Sequence, residues 1–227
     1  MKIVVAGAAD DMVQAMRKVS RWFAVVFAAL ALSSMTRARE PIIGAGEGCE
    51  AVFEGLPDEI PAVSRIAPSD ETGAPMIISG VVTDARGEPV PGIIVYAYQT
   101  NAKGIYPPLG GFARGSAALR HGRLRSWART DAQGRYQFLT IRPGAYPGTD
   151  IPQHVHFHVL EPGRCTYYID DLLFDDDPHL TPLQRRQLLT GRGGNGLAVP
   201  TRNSAGVWHV TRDIVLGARV DGYPPRR

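Results

Sequence analysis

Long hydrophobic runs, net charge and cysteine are all scarce in this 227-residue chain, and each scarcity excludes something. The run WFAVVFAALAL near the start spans eleven residues, short of the roughly 20 that a membrane-crossing helix needs. Charge is nearly absent as a net quantity. Five cations and two anions precede residue 39, and the remainder balances at 20 against 20. The formal +3 and the pI near 9.0 therefore imply no basic patch, and nucleic acid is excluded as a partner. Two cysteines allow one disulfide at most. There is no solenoid repeat, no heptad pattern and hardly any helical periodicity. What is present is a hydrophobic content of 44%, enough for a substantial core in one domain.

The early cations have a local explanation. RKVSR leads into the eleven-residue apolar run, and SSMTRA follows, with Thr36 and Ala38 forming a small-x-small cleavage signal. This is the architecture of a secretory leader. It predicts residues 1–38 as a signal peptide and an exported protein, periplasmic or extracellular, with no membrane partner after cleavage. Met12 or Met16 would make a better leader start than Met1. In an oxidising compartment Cys49 and Cys165 are expected to pair, the alternative being two buried thiols.

Residues 39–75 are rich in Gly, Pro, Glu and Asp without a sustained period, and read as an extended arm. MIISGVVTDARGEPVPGIIVYAYQT then reads as strand, Gly/Pro turn and strand, a hairpin by pattern. SWARTDAQGRYQFLTIRPGAYP repeats the theme more weakly. Further strands are expected at 154–160, 166–174 and 207–216. One short helix is expected in TPLQRRQLLTG, with Thr181 as N-cap, Pro182 at the first helical position and Gly191 as the stop. The predicted architecture is mostly β, an antiparallel β-sandwich with long loops over 76–218 and a tail at 219–227.

In IPQHVHFHV, three of the six histidines fall two residues apart. Strand alternation puts Val155, Phe157 and Val159 on one face and His154, His156 and His158 on the other. Adjacent imidazoles of such a row can converge on one ion; the third lies too far along. The plain alternative is a half-exposed strand with solvated histidines. Two tyrosines sit on Pro/Gly-rich loops: Tyr106 in TNAKGIYPP and Tyr146 in TIRPGAYPG. Each taken alone is as readily a packed turn residue. Phenolate is a hard anionic donor that a strongly charged cation can deprotonate, and two phenolates with two neutral imidazoles suit ferric iron better than zinc or copper.

Taken in order and at their spacing, GVVTDARGEPVPGIIVYAYQTNAKGIY, RTDAQGRYQFLTIRPGAYP, HVHF and LLFDDDP make residues 79–216 resemble the intradiol ring-cleavage dioxygenases, the protocatechuate 3,4-dioxygenase and catechol 1,2-dioxygenase group. The resemblance implies a β-sandwich holding one mononuclear non-haem ferric ion, Fe(3+), through Tyr106, Tyr146, His154 and His156. Tyr146 falls where the family's departing axial tyrosinate sits, with Tyr106 and His154 equatorial and His156 axial. The partners implied are a small catechol and O2, the ring opening between its two hydroxylated carbons to a muconate-type diacid. No family role carries over to His158, and a homo-oligomer is left open.

Two positions depart from that pattern. The family's arginine three residues before the first histidine is Ile151 here. A glutamine on the following strand is missing, with Asp170 or Asp171 near its place. Arg142 and Arg129 are the candidate replacements for the arginine. Two other readings compete: a non-catalytic transthyretin-like binding module, which needs neither tyrosine pair nor histidine pair, and a zinc or copper hydrolase on H-x-H, which would need a carboxylate from Asp170–Asp171 or Asp175–Asp177.

Overall fold

A computed structural model describes residues 40–44 and 48–225. The expected signal peptide lies outside the described residues. Glu40–Arg227 form one compact unit, and among the described residues no helix is long and apolar enough to cross a membrane.

Eleven strands are described: β1 (Val63–Arg65), β2 (Pro75–Thr83), β3 (Ile94–Gln99), β4 (Arg125–Arg129), β5 (Arg135–Ile141), β6 (His154–Glu161), β7 (Cys165–Phe174), β8 (Leu197–Ala198), β9 (Thr201–Arg202), β10 (Trp208–Thr211) and β11 (Ile214–Val215). They form two sheets, one ordered β1-β5-β2-β10-β9 with β11 also on β2, the other β4-β3-β6-β7-β8. The sandwich is as expected, but each sheet is mixed. The central pairs are antiparallel, whereas β1, β8, β10 and β11 join in parallel.

Between the sheets lies the main core. Met76, Ile78 and Val82 of β2 and Phe138 of β5 meet Val95 and Ala97 of β3, Val155, Phe157 and Val159 of β6, and Tyr167, Ile169, Leu172 and Phe174 of β7. Fully burying an aliphatic or aromatic side chain stabilises by roughly 1.5–3 kcal/mol, so the alternating face of IPQHVHFHV holds the strand that carries the histidines.

Both expected hairpins turn out to be crossings between sheets. β2 pairs with β5 while β3 pairs with β4 and β6, and the chain passes from sheet to sheet at 84–93 and again at 130–134. Asp84 organises the first crossing, its carboxylate accepting from the Arg86 and Glu88 amides. Pro89 and Pro91 then remove the donors that a continuing ladder would use. The Thr130 hydroxyl ties the two crossings together, accepting from Ile93 N–H and donating to the Val90 carbonyl.

The strand expected at 207–216 breaks into β10 and β11 at Arg212–Asp213, because Asp213 Oδ1 rather than a backbone carbonyl accepts from Val81 N–H. Gly80 is required there: a Cβ would lie 2.0 Å from the Arg212 carbonyl oxygen. The expected helix is α2 (Pro182–Leu188), started by a Thr181–Gln184 capping box and ending before Gly191. A second helical turn, α1 (Ala118–His121), and a 3-10 turn at Cys49–Val52 were not expected.

Of the arm, the described residues 48–53 lie on the outer face of the β4-β3-β6-β7-β8 sheet, while 63–65 join the other sheet as β1. Ala51 and Val52 pack with Ile94, Tyr96, Leu160, Ala117 and Ala118. The disulfide expectation is corrected: both cysteines are free and buried. Cys49 sits on the outer face, its Sγ 3.3 Å from His158 Nδ1, whereas Cys165 belongs to the core between the sheets. His158 pairs with Tyr168, three residues or roughly 10 Å along β7 from Cys165. A sheet therefore stands between the thiols, and bridging needs Cα atoms within about 7 Å. The arm is instead fastened by the backbone of Thr166, whose carbonyl accepts from Ile43 N–H and whose N–H donates to the Pro41 carbonyl, and by Trp127 Nε1 donating to the Val52 carbonyl at 2.8 Å.

Candidate active site

Two loops and one strand build the site. The Asn101 side chain folds the first loop, its Oδ1 accepting from the Lys103 and Ile105 amides. The second loop, after β5, lies directly against it. Gly144 N–H donates to the Asn101 carbonyl, and the Thr100 hydroxyl donates to the Gly144 carbonyl at 2.8 Å. Gly104, at φ 75°, permits this approach, since a Cβ would lie 1.8 Å from the Ala145 carbonyl oxygen. Tyr106 and Tyr146 follow Gly104 and Gly144 by two residues each, so the backbone contact delivers both phenols to one point.

The Tyr106 and Tyr146 hydroxyls are 2.6 Å apart, and Tyr106 Oη is 2.8 Å from His156 Nε2. His154 Nε2 is 3.2 Å from both Tyr146 Oη and His156 Nε2. All four residues are half-buried. The other edge of each imidazole faces an acceptor: His154 Nδ1 is 2.7 Å from the Pro152 carbonyl and His156 Nδ1 is 2.8 Å from Asp171 Oδ1. Each Nδ1 must therefore carry a proton and donate it, which leaves both Nε2 lone pairs bare and aimed at one another.

Two bare nitrogens and two phenol oxygens pointing inward have too few protons to satisfy every lone pair, and a cation resolves that. An ion bonded at about 2.0–2.1 Å holds neighbouring donors roughly 2.9–3.4 Å apart, within a few tenths of an ångström of the separations observed. The residues present thus fit a metal ion of the hard, imidazole-tolerant kind. Without one, burial pushes both tyrosine hydroxyls above their ordinary pKa; the hydrogen bond between them adds to the rise at Tyr106 and opposes it at Tyr146. Burial, together with the nearby His156, lowers that of His154. Burial opposes ionisation of Asp171, but its hydrogen bond to His156 prevails and holds the carboxyl below its usual range.

Residues 58–192 match the family described as Dioxygenase. The protocatechuate 3,4-dioxygenase beta chain of Burkholderia cepacia is 31% identical over 169 residues, covering 68% of this chain and 69% of its own. The chain belongs to the intradiol dioxygenases. Catechol 1,2-dioxygenase 1 of Acinetobacter lwoffii is 35% identical over 109 residues, and the chain spans only 33% of its length. Among solved structures, the intradiol ring-cleavage dioxygenase of Tetranychus urticae aligns with 84% of this chain and 97% of its own at a TM-score of 0.51 and 19% identity. The dioxygenase domain of a carbohydrate-binding fusion protein from Streptomyces sp. SirexAA-E aligns with 78% and 98% at 0.50 and 23%. At these identities the structures establish a shared fold.

In this dioxygenase the histidines of the shared strand face differ in their surroundings. His158 is 2% exposed, with Cys49 as its hydrogen-bond partner, and takes no part in the cluster. Ile151 is 46% exposed. Neither candidate replacement for the family arginine is free to serve: Arg142 grips Asp176 through both terminal nitrogens and Gln153 through Nε, and Arg129 donates to the Gly92 carbonyl. Asp171 is the carboxylate that the zinc reading required: it lies within 4.8 Å of ligand atoms of His154 and His156, with its Oδ1 on the Nδ1 edge of His156.

Sequence reasoning passed over Tyr98. Its ring is sandwiched between His156 at 4.4 Å and His121 at 3.6 Å between centroids, fixing the plane of one candidate ligand. In GIIVYAYQT, Ile94, Tyr96 and Tyr98 alternate with Val95 and Ala97, which already sets Tyr98 on the face opposite the core. Its pairing with His156 required the strand register.

Proposed function

We propose that this dioxygenase uses one ferric ion, held by Tyr106, Tyr146, His154 and His156, to cleave a catecholic ring with O2 between its two hydroxylated carbons. The observation that carries the reading is the convergence of four inward lone pairs, with both histidine tautomers set by acceptors behind the rings. A ferric ion there would supply Lewis acidity and a template for two catechol oxygens.

The chain's own groups supply the rest. Tyr146 stands at the start of an exposed loop, residues 147–151, and its Oη is the atom placed to take a proton from the entering catechol. Tyr106, wedged between Tyr146 and His156, stays in place and keeps the anionic oxygen. Asp171 at the site and isoleucine at 151 favour a ring without an anionic substituent. A transthyretin-like module without catalysis has no use for the quartet. Residues 17–38 support export as a further proposal, which N-terminal sequencing of the mature protein checks.

The deciding experiment is a visible spectrum with metal analysis of the purified protein. About one iron per chain and a reddish phenolate-to-iron band are expected, with catechol turned over faster than its carboxylated derivative. Tyr106→Phe should shift the band and remove most activity. A colourless protein that takes up zinc and no iron overturns the reading.

A further inference from the structure

Strict alternation along β7 would send Cys165, Tyr167, Ile169 and Asp171 to the same face, and the first three do enter the core. Beyond them, however, Leu172 and Phe174 are the core residues, so the parity of the strand changes by one. The pairing shows where: Val155 opposes Leu172 and Phe157 opposes Ile169. One residue of β6, His156, stands across from two of β7, Asp170 and Asp171. This is a β-bulge, a device that re-aims side chains beside functional sites. It turns the Asp171 carboxylate out of the apolar core and onto the site face, 2.8 Å from His156 Nδ1.

The bulge is braced from behind. Asp170 Oδ2 accepts from Arg192 N–H at 2.9 Å, and a Cβ on Gly191 would lie 2.0 Å from that same oxygen. Arg212, fully buried, donates to the carbonyls of Asp170 and Arg192 and, from its other terminal nitrogen, to those of Gly193 and Asn195. Its guanidinium thus clamps the 191–195 turn to the bulge and fixes the backbone on which Asp171 stands.

We propose that Asp171, delivered by this bulge, is a positioning residue: its carboxylate holds the proton of His156 on Nδ1 and so keeps Nε2 bare and aimed at Tyr106. A carboxylate behind a ligand imidazole fixes its tautomer and orientation and raises its donor strength. Tyr98 restrains the ring plane by stacking, while Asp171 selects which nitrogen faces inward. The metal arm of the proposal rests on the ferric reading above; the tautomer arm does not.

The test therefore uses two readouts on the full chain. Nitrogen-15 NMR of the metal-free protein should find His156 protonated on Nδ1 in the wild type and in Asp171→Asn, whose amide oxygen still accepts. Asp171→Ala should give a mixture of tautomers. The iron-loaded proteins, challenged with a chelator, should rank wild type, Asn, Ala, with about 10–100-fold weaker retention in the alanine variant. A wild-type His156 protonated on Nε2 overturns the proposal without any variant, as does an alanine variant with the wild-type tautomer and wild-type iron retention. A wild type that binds no iron while its tautomer still depends on Asp171 keeps the positioning role and removes the ferric reading.

Discussion

His156 and His158 stand two residues apart on one face of one strand, yet the two ends of that face have opposite chemistry. His156 is half-exposed, with a carboxylate behind it and two phenols near its inward nitrogen. His158 is sealed under the arm, its Nδ1 on a thiol and its ring edge-on to Tyr96 at 5.6 Å, with its pKa pushed down to about 3 by burial and by the nearby His121. Strand position is the same; the surroundings decide which imidazole can offer a lone pair outward and which serves as packing.

The largest effect expected from breaking this comparison is a crossover between metal and stability. His154→Ala or His156→Ala should abolish iron retention while lowering unfolding stability by only about 1–2 kcal/mol, as for truncation at partly exposed positions. His158→Ala should keep iron and colour yet cost about 2–4 kcal/mol, the range for emptying a core site. Metal analysis beside urea unfolding reads both axes. Iron that survives loss of His154 but vanishes with His158 would move the site along the strand.

A smaller effect sharpens the buried end. His121 bonds the Tyr96 hydroxyl through Nδ1 at 2.9 Å, and burial, assisted by the nearby His156, lowers its pKa from 6.5 to about 3. Between those values the unfolded chain binds a proton that the folded protein refuses. Its contribution to stability is therefore complete above pH 6.5 and is lost as pH falls toward 3, at about 1.4 kcal/mol per pH unit. From pH 7 to 5 the wild type should lose about 2 kcal/mol more than His121→Gln does, measured by urea midpoints. Equal losses would mean that His121 takes up its proton alike in the folded and the unfolded chain, so that burial does not lower its pKa.

Smallest is the effect on the thiols. Burial raises Cys49 to about 11 and Cys165 to about 12, so neither should react in the folded protein near neutral pH. Denatured without reductant, the chain should titrate two thiols. Finding none would restore the disulfide and require the arm to pass differently over the sheet.

Features carried by short-range pattern were legible beforehand. The core face Val155, Phe157 and Val159, the N-terminus of α2 with Thr181, and the loop placement of Tyr106 and Tyr146 follow from periods of a few residues and from turn chemistry. The hairpins failed because the motif strand-turn-strand does not say whether the second strand returns to the first; prolines and the Thr130 cross-link sent it to the opposite sheet. The strand in the arm, β1, was missed because three residues carry too little alternation to register.

By itself the sequence supplied the candidate donors: two tyrosines on glycine-bearing loops and a row of three histidines on a strand held by its apolar face, of which the family resemblance singled out the first two. The tertiary structure alone decided that His154 and His156 converge on the tyrosines while His158 is sealed away, that the cysteines stand on opposite faces of a sheet, and that Asp171 faces the site. The physical reason is that a side chain's local period assigns it a face. The proton on an imidazole is set by whatever another strand, one bulged residue out of step, places behind the ring.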